Sequence, residues 1–171
     1  MGIMESTATI AKRGLVMVIT GNGKGKTTSS FGQALRAVGQ GYQVCIIQFM
    51  KGRKYGEILA CEKHLPSITI YQFGLDSFVM RDNSAQVDID LAWQGFEKAK
   101  EIIQSKKFDM VILDEINVAV DFGLIPEEVV LDLIKNKPPE LDLILTGRYA
   151  SDELREIADL VSEVTEIKHH Y

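Results

Sequence analysis

Short apolar runs alternate along this chain with longer stretches in which apolar residues return every third or fourth position. Runs of roughly four to eight residues bounded by turn formers read as buried strands, and a period of about 3.6 reads as amphipathic helix. The runs are Leu15–Thr20, Val44–Phe49, Ile68–Phe73, Met110–Leu113 and Leu141–Thr146, with a more polar sixth, Val161–Ile167, that alternates like an edge strand. Between them, Phe31, Leu35 and Val38 share a face of Thr27–Gln40, which Gly39 and Gly41 stop. Ile89, Trp93, Phe96 and Ile103 share a face of Val87–Ser105, so Trp93 reads as a core anchor. Pro126 suits the first turn of a helix bearing Val129, Val130, Leu133 and Ile134, and Ser151 caps another that opens with Asp152 and Glu153. Strands alternating with helices predict a three-layer α/β/α fold on a mainly parallel sheet of about six strands. Ligands of such a fold bind at the carboxyl ends of the strands.

Length and composition narrow the class without changing that picture. The 171 residues make about one domain by the usual ~100–200 residues each, read as a flexible N-terminal lead over 1–13 and a single domain over 14–171. Apolar types at 46% and charged types at 25% exclude a disordered or fibrous chain. A net charge of −5 argues against a surface that tracks nucleic acid. No apolar run approaches the ~20 residues that span a bilayer, and Met1–Arg13 lacks the apolar middle of a signal peptide, so a cytoplasmic protein with no membrane partner is expected. Cys45 and Cys61 form no C-x-x-C pair, and His64, His169 and His170 have no metal-ligand spacing with acids or cysteines.

The chemistry concentrates where the first strand meets the first helix, at Thr20-Gly21-Asn22-Gly23-Lys24-Gly25-Lys26-Thr27-Thr28. Glycines Gly21, Gly23 and Gly25 permit backbone angles that aim N–H groups inward, and the helix N-terminus adds partial positive charge, so the segment cradles a polyphosphate. Lys26 is expected on phosphate oxygens and Thr27 on Mg²⁺, with Thr20 in the place of the first glycine of the G-x-x-x-x-G-K-S/T template, so the expected fold is P-loop NTPase-like and 14–171 reads as a single nucleotide-binding domain. Lys24 is either a second phosphate contact or a solvated lysine. Phe108–Glu115 reads as a buried strand ending in two carboxylates, Asp114 and Glu115, the pattern that brings an acid near the metal of a bound nucleotide. Arg148, just beyond a strand, and Arg36, on the loop's own helix, are further candidates for the phosphates. The only Asn-Lys pair, Asn136-Lys137, runs into Pro138-Pro139, so the base-reading N-K-x-D element of a GTPase is missing. A small-molecule kinase, another ATP-dependent transferase and a non-catalytic ATP switch all stay open on these residues alone.

Beyond the loop, the chain carries Arg13-Gly14-Leu15, Leu35-Arg36-Ala37-Val38-Gly39, Gln48-Phe49-Met50-Lys51-Gly52, Leu113-Asp114-Glu115, Thr146-Gly147-Arg148 and Ser162-Glu163 through Lys168-His169. In order and wording these resemble the ATP:corrinoid adenosyltransferase family over nearly the whole chain. That family shares Thr-Gly-Asn-Gly-Lys-Gly-Lys-Thr, so Thr20 becomes part of the likeness. The resemblance implies that Co(I) of a corrinoid, cobalamin or cobyrinic acid diamide, attacks the ribose 5′ carbon of ATP and that the whole triphosphate leaves. It implies ATP bound in reverse relative to other phosphate-loop proteins, Mg²⁺ held by Thr27 and Glu115, and a homodimer. It implies also an electron donor such as a flavodoxin or flavin reductase. Phe78, in Gly74–Met80, stands where relatives carry an aromatic segment that keeps an axial ligand off the cobalt, and Met80 stands where many have tryptophan. Gln48 and Lys51 match the family wording without an evident physical role. Relatives continue beyond the Lys168-His169 wording into a glycine-containing tail.

Overall fold

In the computed structural model, which describes residues 13–76, 81 and 84–169, the chain runs β1 (Val16–Thr20), α1 (Lys26–Gly39), β2 (Val44–Phe49), α2 (Gly56–His64), β3 (Ile68–Phe73), α3 (Gln86–Ser105), β4 (Met110–Asp114), α4 (Ile116–Asp121), α5 (Glu127–Lys135), β5 (Asp142–Thr146), α6 (Asp152–Ile157) and β6 (Leu160–Glu163). The lead up to residue 12, Phe78, Met80 and His170 lie outside the described residues. All six strands are parallel, in the order β3-β2-β4-β5-β1-β6. The expected α/β/α architecture is therefore present.

The strands are continuous apolar runs because both faces of the sheet are covered. Along β4, Val111 and Leu113 face one core, shared with α3 and with α4 to α6, while Met110 and Ile112 face the other, shared with α1 and α2. Trp93 is half-buried and packs edge-on against Phe96, with ring centroids 5.9 Å apart, as a core anchor should. Ser151 caps α6 by accepting from the Leu154 N–H at 3.1 Å.

Two expectations need correction. Leu35 is 55% exposed, since α1 buries Ser30, Phe31, Ala34 and Ala37 and the stripe turns away from position 35. The last strand stops at Glu163 and is exposed at every position, because only β1 pairs with it and the chain beyond turns onto the phosphate loop. Two helices went unpredicted: α2 buries only Ile58 and Cys61, too few to mark a period, and α4 is six residues long and directly follows an apolar strand.

Chain direction reverses beside β1: the first crossover carries the chain past β5 and β4 to β2, and later strands return toward β1. Such a switch point opens a crevice at the carboxyl ends of the strands. The segment after β1 and the ends of β2, β4 and β5 therefore meet there.

Cys45 lies fully buried in β2, and burial pushes its thiol from an ordinary 9.0 up to about 12. A group whose protonated form is favoured only in the folded state withdraws stability once the unfolded chain begins to ionise. Urea unfolding of the wild type should therefore lose stability above about pH 9 more steeply than Cys45→Ala, in which this contribution is gone. Parallel pH dependences in the two proteins would disprove the assignment.

Candidate active site

At the end of β1, Gly21 and Gly25 take left-handed backbone angles, φ 96° and 118°, and Gly25 serves as N-cap of α1. Conformations of this kind suit glycine, and they fold the segment into a compact loop at the helix N-terminus. Lys26 is buried and donates to the Gly23 carbonyl at 2.7 Å, so its side chain arches over the loop. Burial lowers the pKa of its ammonium, with Glu115 opposing that and the charges of Arg148 and Lys51 adding to it. A lysine so held is drawn toward an incoming anion.

Two details of the loop depart from its general template. Thr20 is fully buried, and its hydroxyl accepts the Ala150 N–H at 3.2 Å, tying the loop to the turn that carries Arg148. A glycine there would lose that bond. Gly23 was expected to turn its N–H inward, yet it donates to the Val164 carbonyl at 2.7 Å, while the Val164 N–H donates to Thr20 at 2.8 Å. The segment just beyond β6, expected to continue the strand, thus backs the loop. A Cβ on Gly23 would lie 2.8 Å from backbone atoms of Val164 and Thr165, so only glycine lets the two segments touch.

The carboxylates sit opposite. Asp114 ends β4 with no exposed surface and accepts four hydrogen bonds: Thr27 Oγ1 at 3.0 Å and Thr146 Oγ1 at 2.7 Å on Oδ1, Gln48 Nε2 at 2.9 Å and Lys51 Nζ at 2.8 Å on Oδ2. Gln48 lies in register with Asp114 and with Gln72, whose Nε2 donates to Gln48 Oε1 at 3.0 Å. Gln72, Gln48, Asp114 and Thr146 therefore form a polar row across the carboxyl ends of β3, β2, β4 and β5. Glu115 follows in a left-handed conformation, φ 65°, with its N–H on Thr146 Oγ1 at 3.0 Å. Strain of this sort at a non-glycine residue redirects the side chain, here toward Lys51 Nζ at 3.6 Å. Burial raises the Glu115 pKa; Lys51 opposes the shift and Asp114 reinforces it.

The other candidates divide. Asn22 and Lys24 are exposed on the loop, and Thr28 is exposed in the first turn of α1. Arg148 is exposed beside Gly147 and close enough to influence Lys26. Arg36 is not brought to the loop: it sits in the last turn of α1, ten residues or ~15 Å of helix beyond Lys26. Gln72 and Thr146 were missed and Lys51 had no role, although one signal was available: strands 2, 3, 4 and 5 each carry a polar residue at or near the carboxyl end of an apolar run.

Residues 12–171 match the family model described as ATP:corrinoid adenosyltransferase BtuR/CobO/CobP. The chain belongs to the ATP:corrinoid adenosyltransferase family. It is thus an enzyme, a transferase whose reaction moves the adenosyl group of ATP to a corrinoid, and the kinase and switch alternatives fall away. Among its relatives is a corrinoid adenosyltransferase of Sinorhizobium sp, 38% identical over 94% of this chain and 76% of its own length. That of Escherichia coli strain K12 is 35% identical over 94% of this chain and 81% of its own, and corrinoid adenosyltransferase CobA of Salmonella typhimurium strain LT2 is 34% identical over the same shares.

The packing of Val164 and Thr165 on the loop generates a test. Gly23→Ala should weaken ATP binding about tenfold by calorimetry, since one methyl must push the backing segment or the loop out of place. Gly32→Ala, an exposed position on α1 with nothing within 4 Å, is the control and should bind ATP normally.

Proposed function

We propose that the corrinoid cobalt, reduced to Co(I), attacks the ribose 5′ carbon of ATP, that the C5′–O bond breaks, and that triphosphate leaves with the bonding electron pair. The arrangement of Lys26, Thr27, Asp114 and Glu115 around one loop, in a chain of this family, is the observation that carries the reading. Charge gathers on the triphosphate as it departs, so groups aimed at it lower the barrier. Lys26 would leave the Gly23 carbonyl for phosphate oxygens, and loop N–H groups and Arg148 would share the remaining charge. Nothing in this displacement needs a base to activate water. ATP would lie with its triphosphate in the loop and its 5′ carbon toward the crevice mouth.

Mg²⁺ fits the oxygen donors present. Among the described residues no group of three or more histidines, cysteines or acids gathers. Thr27 Oγ1 and Glu115 do converge on one cation, the Lys51 ammonium, and a hydroxyl with a carboxylate is the sparse set Mg²⁺ uses when phosphates and water complete its shell. Thr27 and Glu115 would hold it, with the saturated Asp114 fixing Thr27 from behind. When bound, the metal supplies Lewis-acid stabilisation of the leaving oxygens.

Phe78 is assigned, on family likeness, to covering a corrin face so that cobalt loses its axial ligand before reduction. A homodimer, a flavodoxin or flavin reductase as electron donor, and a cytoplasmic setting belong to the same reading and rest on that likeness. No described helix is long and apolar enough to cross a membrane.

Purified protein given Mg-ATP and chemically reduced cob(I)alamin without oxygen should form adenosylcobalamin and triphosphate in equal amounts. ADP with a phosphorylated acceptor would overturn the proposal. In the same assay Lys26→Ala should lower kcat/KM about 10²–10³-fold, the scale of losing one donor to a developing anion. Phe78→Ala should harm turnover from enzyme-bound Co(II) far more than from pre-reduced Co(I).

A further inference from the structure

Lys51 enters the site by way of a backbone reversal. Met50, the residue after β2, takes φ 57° and donates its N–H to the Phe73 carbonyl at 2.9 Å, which turns the following side chain back over the sheet edge. The ammonium of Lys51 lands 2.8 Å from Asp114 Oδ2, 2.9 Å from Thr27 Oγ1 and 3.6 Å from Glu115 Oε1. Its side chain is 21% exposed, so the contacts are only partly screened by water. Burial works to lower its pKa, but Asp114 and Glu115 outweigh that and raise it. Two lysines, Lys26 and Lys51, thus balance two carboxylates, and the hydroxyl of Thr27 is engaged on both sides, donating to Asp114 and accepting from Lys51.

A divalent cation and an ammonium cannot share those oxygens without strong repulsion at such spacing. We propose that Lys51 is a resident counter-ion of the metal site: it holds Thr27, Asp114 and Glu115 together in the nucleotide-free enzyme, excludes a free divalent cation, and yields only when the metal arrives with a triphosphate. The triphosphate supplies what free metal does not, a new anion for the displaced ammonium. Lys51 is on this account a positioning residue that makes metal and nucleotide enter together. The inference rests on the reading of Thr27 and Glu115 as metal holders.

Binding of Mn²⁺ followed by electron paramagnetic resonance separates the two ideas. Without nucleotide, Lys51→Met, which keeps the stem and drops the charge, should bind Mn²⁺ about tenfold or more tighter than wild type, and adding Thr27→Val should abolish the gain. With ATP present the advantage should shrink or reverse, because the variant has lost a cation facing the phosphates. Equal or weaker Mn²⁺ binding by Lys51→Met, with both proteins binding Mn²⁺ alongside ATP, overturns the counter-ion role and leaves the metal site standing. No Mn²⁺ bound by either protein even with ATP overturns both. Should Lys51→Met fail to fold, nitrogen-15 lysine resonances of the wild type decide, the Lys51 signal being identified by its loss in Lys51→Arg. It should ignore Mg²⁺ alone and move with Mg²⁺ plus ATP; movement with Mg²⁺ alone overturns the proposal.

Discussion

A carboxylate with no access to water sits at the carboxyl edge of the central strand, and the rest of the site is arranged around its needs. Burying an ionised Asp114 is costly unless every lone pair finds a donor. Four donors answer it, drawn from the phosphate-loop helix, from β2, from the turn after β2 and from β5. They come from three separate parts of the chain, so satisfying one side chain brings these segments to one point. The polar row extends the effect outward, since Gln72 orients Gln48 and also donates to the Arg53 carbonyl at 2.9 Å. Buried networks of this kind give fixed geometry when every member is satisfied.

Much of this was legible from residue order. Continuous apolar runs announced a sheet covered on both faces, and the strand, glycine loop and helix announced a compact turn at a helix N-terminus, because both signals are local. What escaped notice was set by tertiary register. Nothing local to Gln48-Phe49-Met50-Lys51 states that β2 will lie beside β4 with Gln48 opposite Asp114, or that a left-handed Met50 will swing Lys51 back over the edge. Leu35 was misjudged for a related reason: small residues Ser30, Ala34 and Ala37 line the buried stripe of α1, and an exposed leucine outweighs them in any reading of periodicity.

The reaction asks for a cradle that stabilises charge on a departing group while leaving the ribose end accessible. A sheet-edge crevice suits that demand, because its floor is rigid secondary structure and its mouth is formed by turns. The positive groups, Lys26 and Lys51, and the negative ones, Asp114 and Glu115, interleave there and nearly cancel. With those four in balance, Arg148 beside the loop supplies the excess of positive charge.

Val164 and Thr165 meet Gly23 from the far end of the sequence, some 140 residues after the loop they support. Contacts so distant along a chain are the last to become possible during vectorial synthesis. A nascent polypeptide that has already made Lys26, Thr27, Asp114 and Glu115 still lacks the segment that backs the loop after β1. That loop reaches its final packing only once the residues just beyond β6 have left the ribosome.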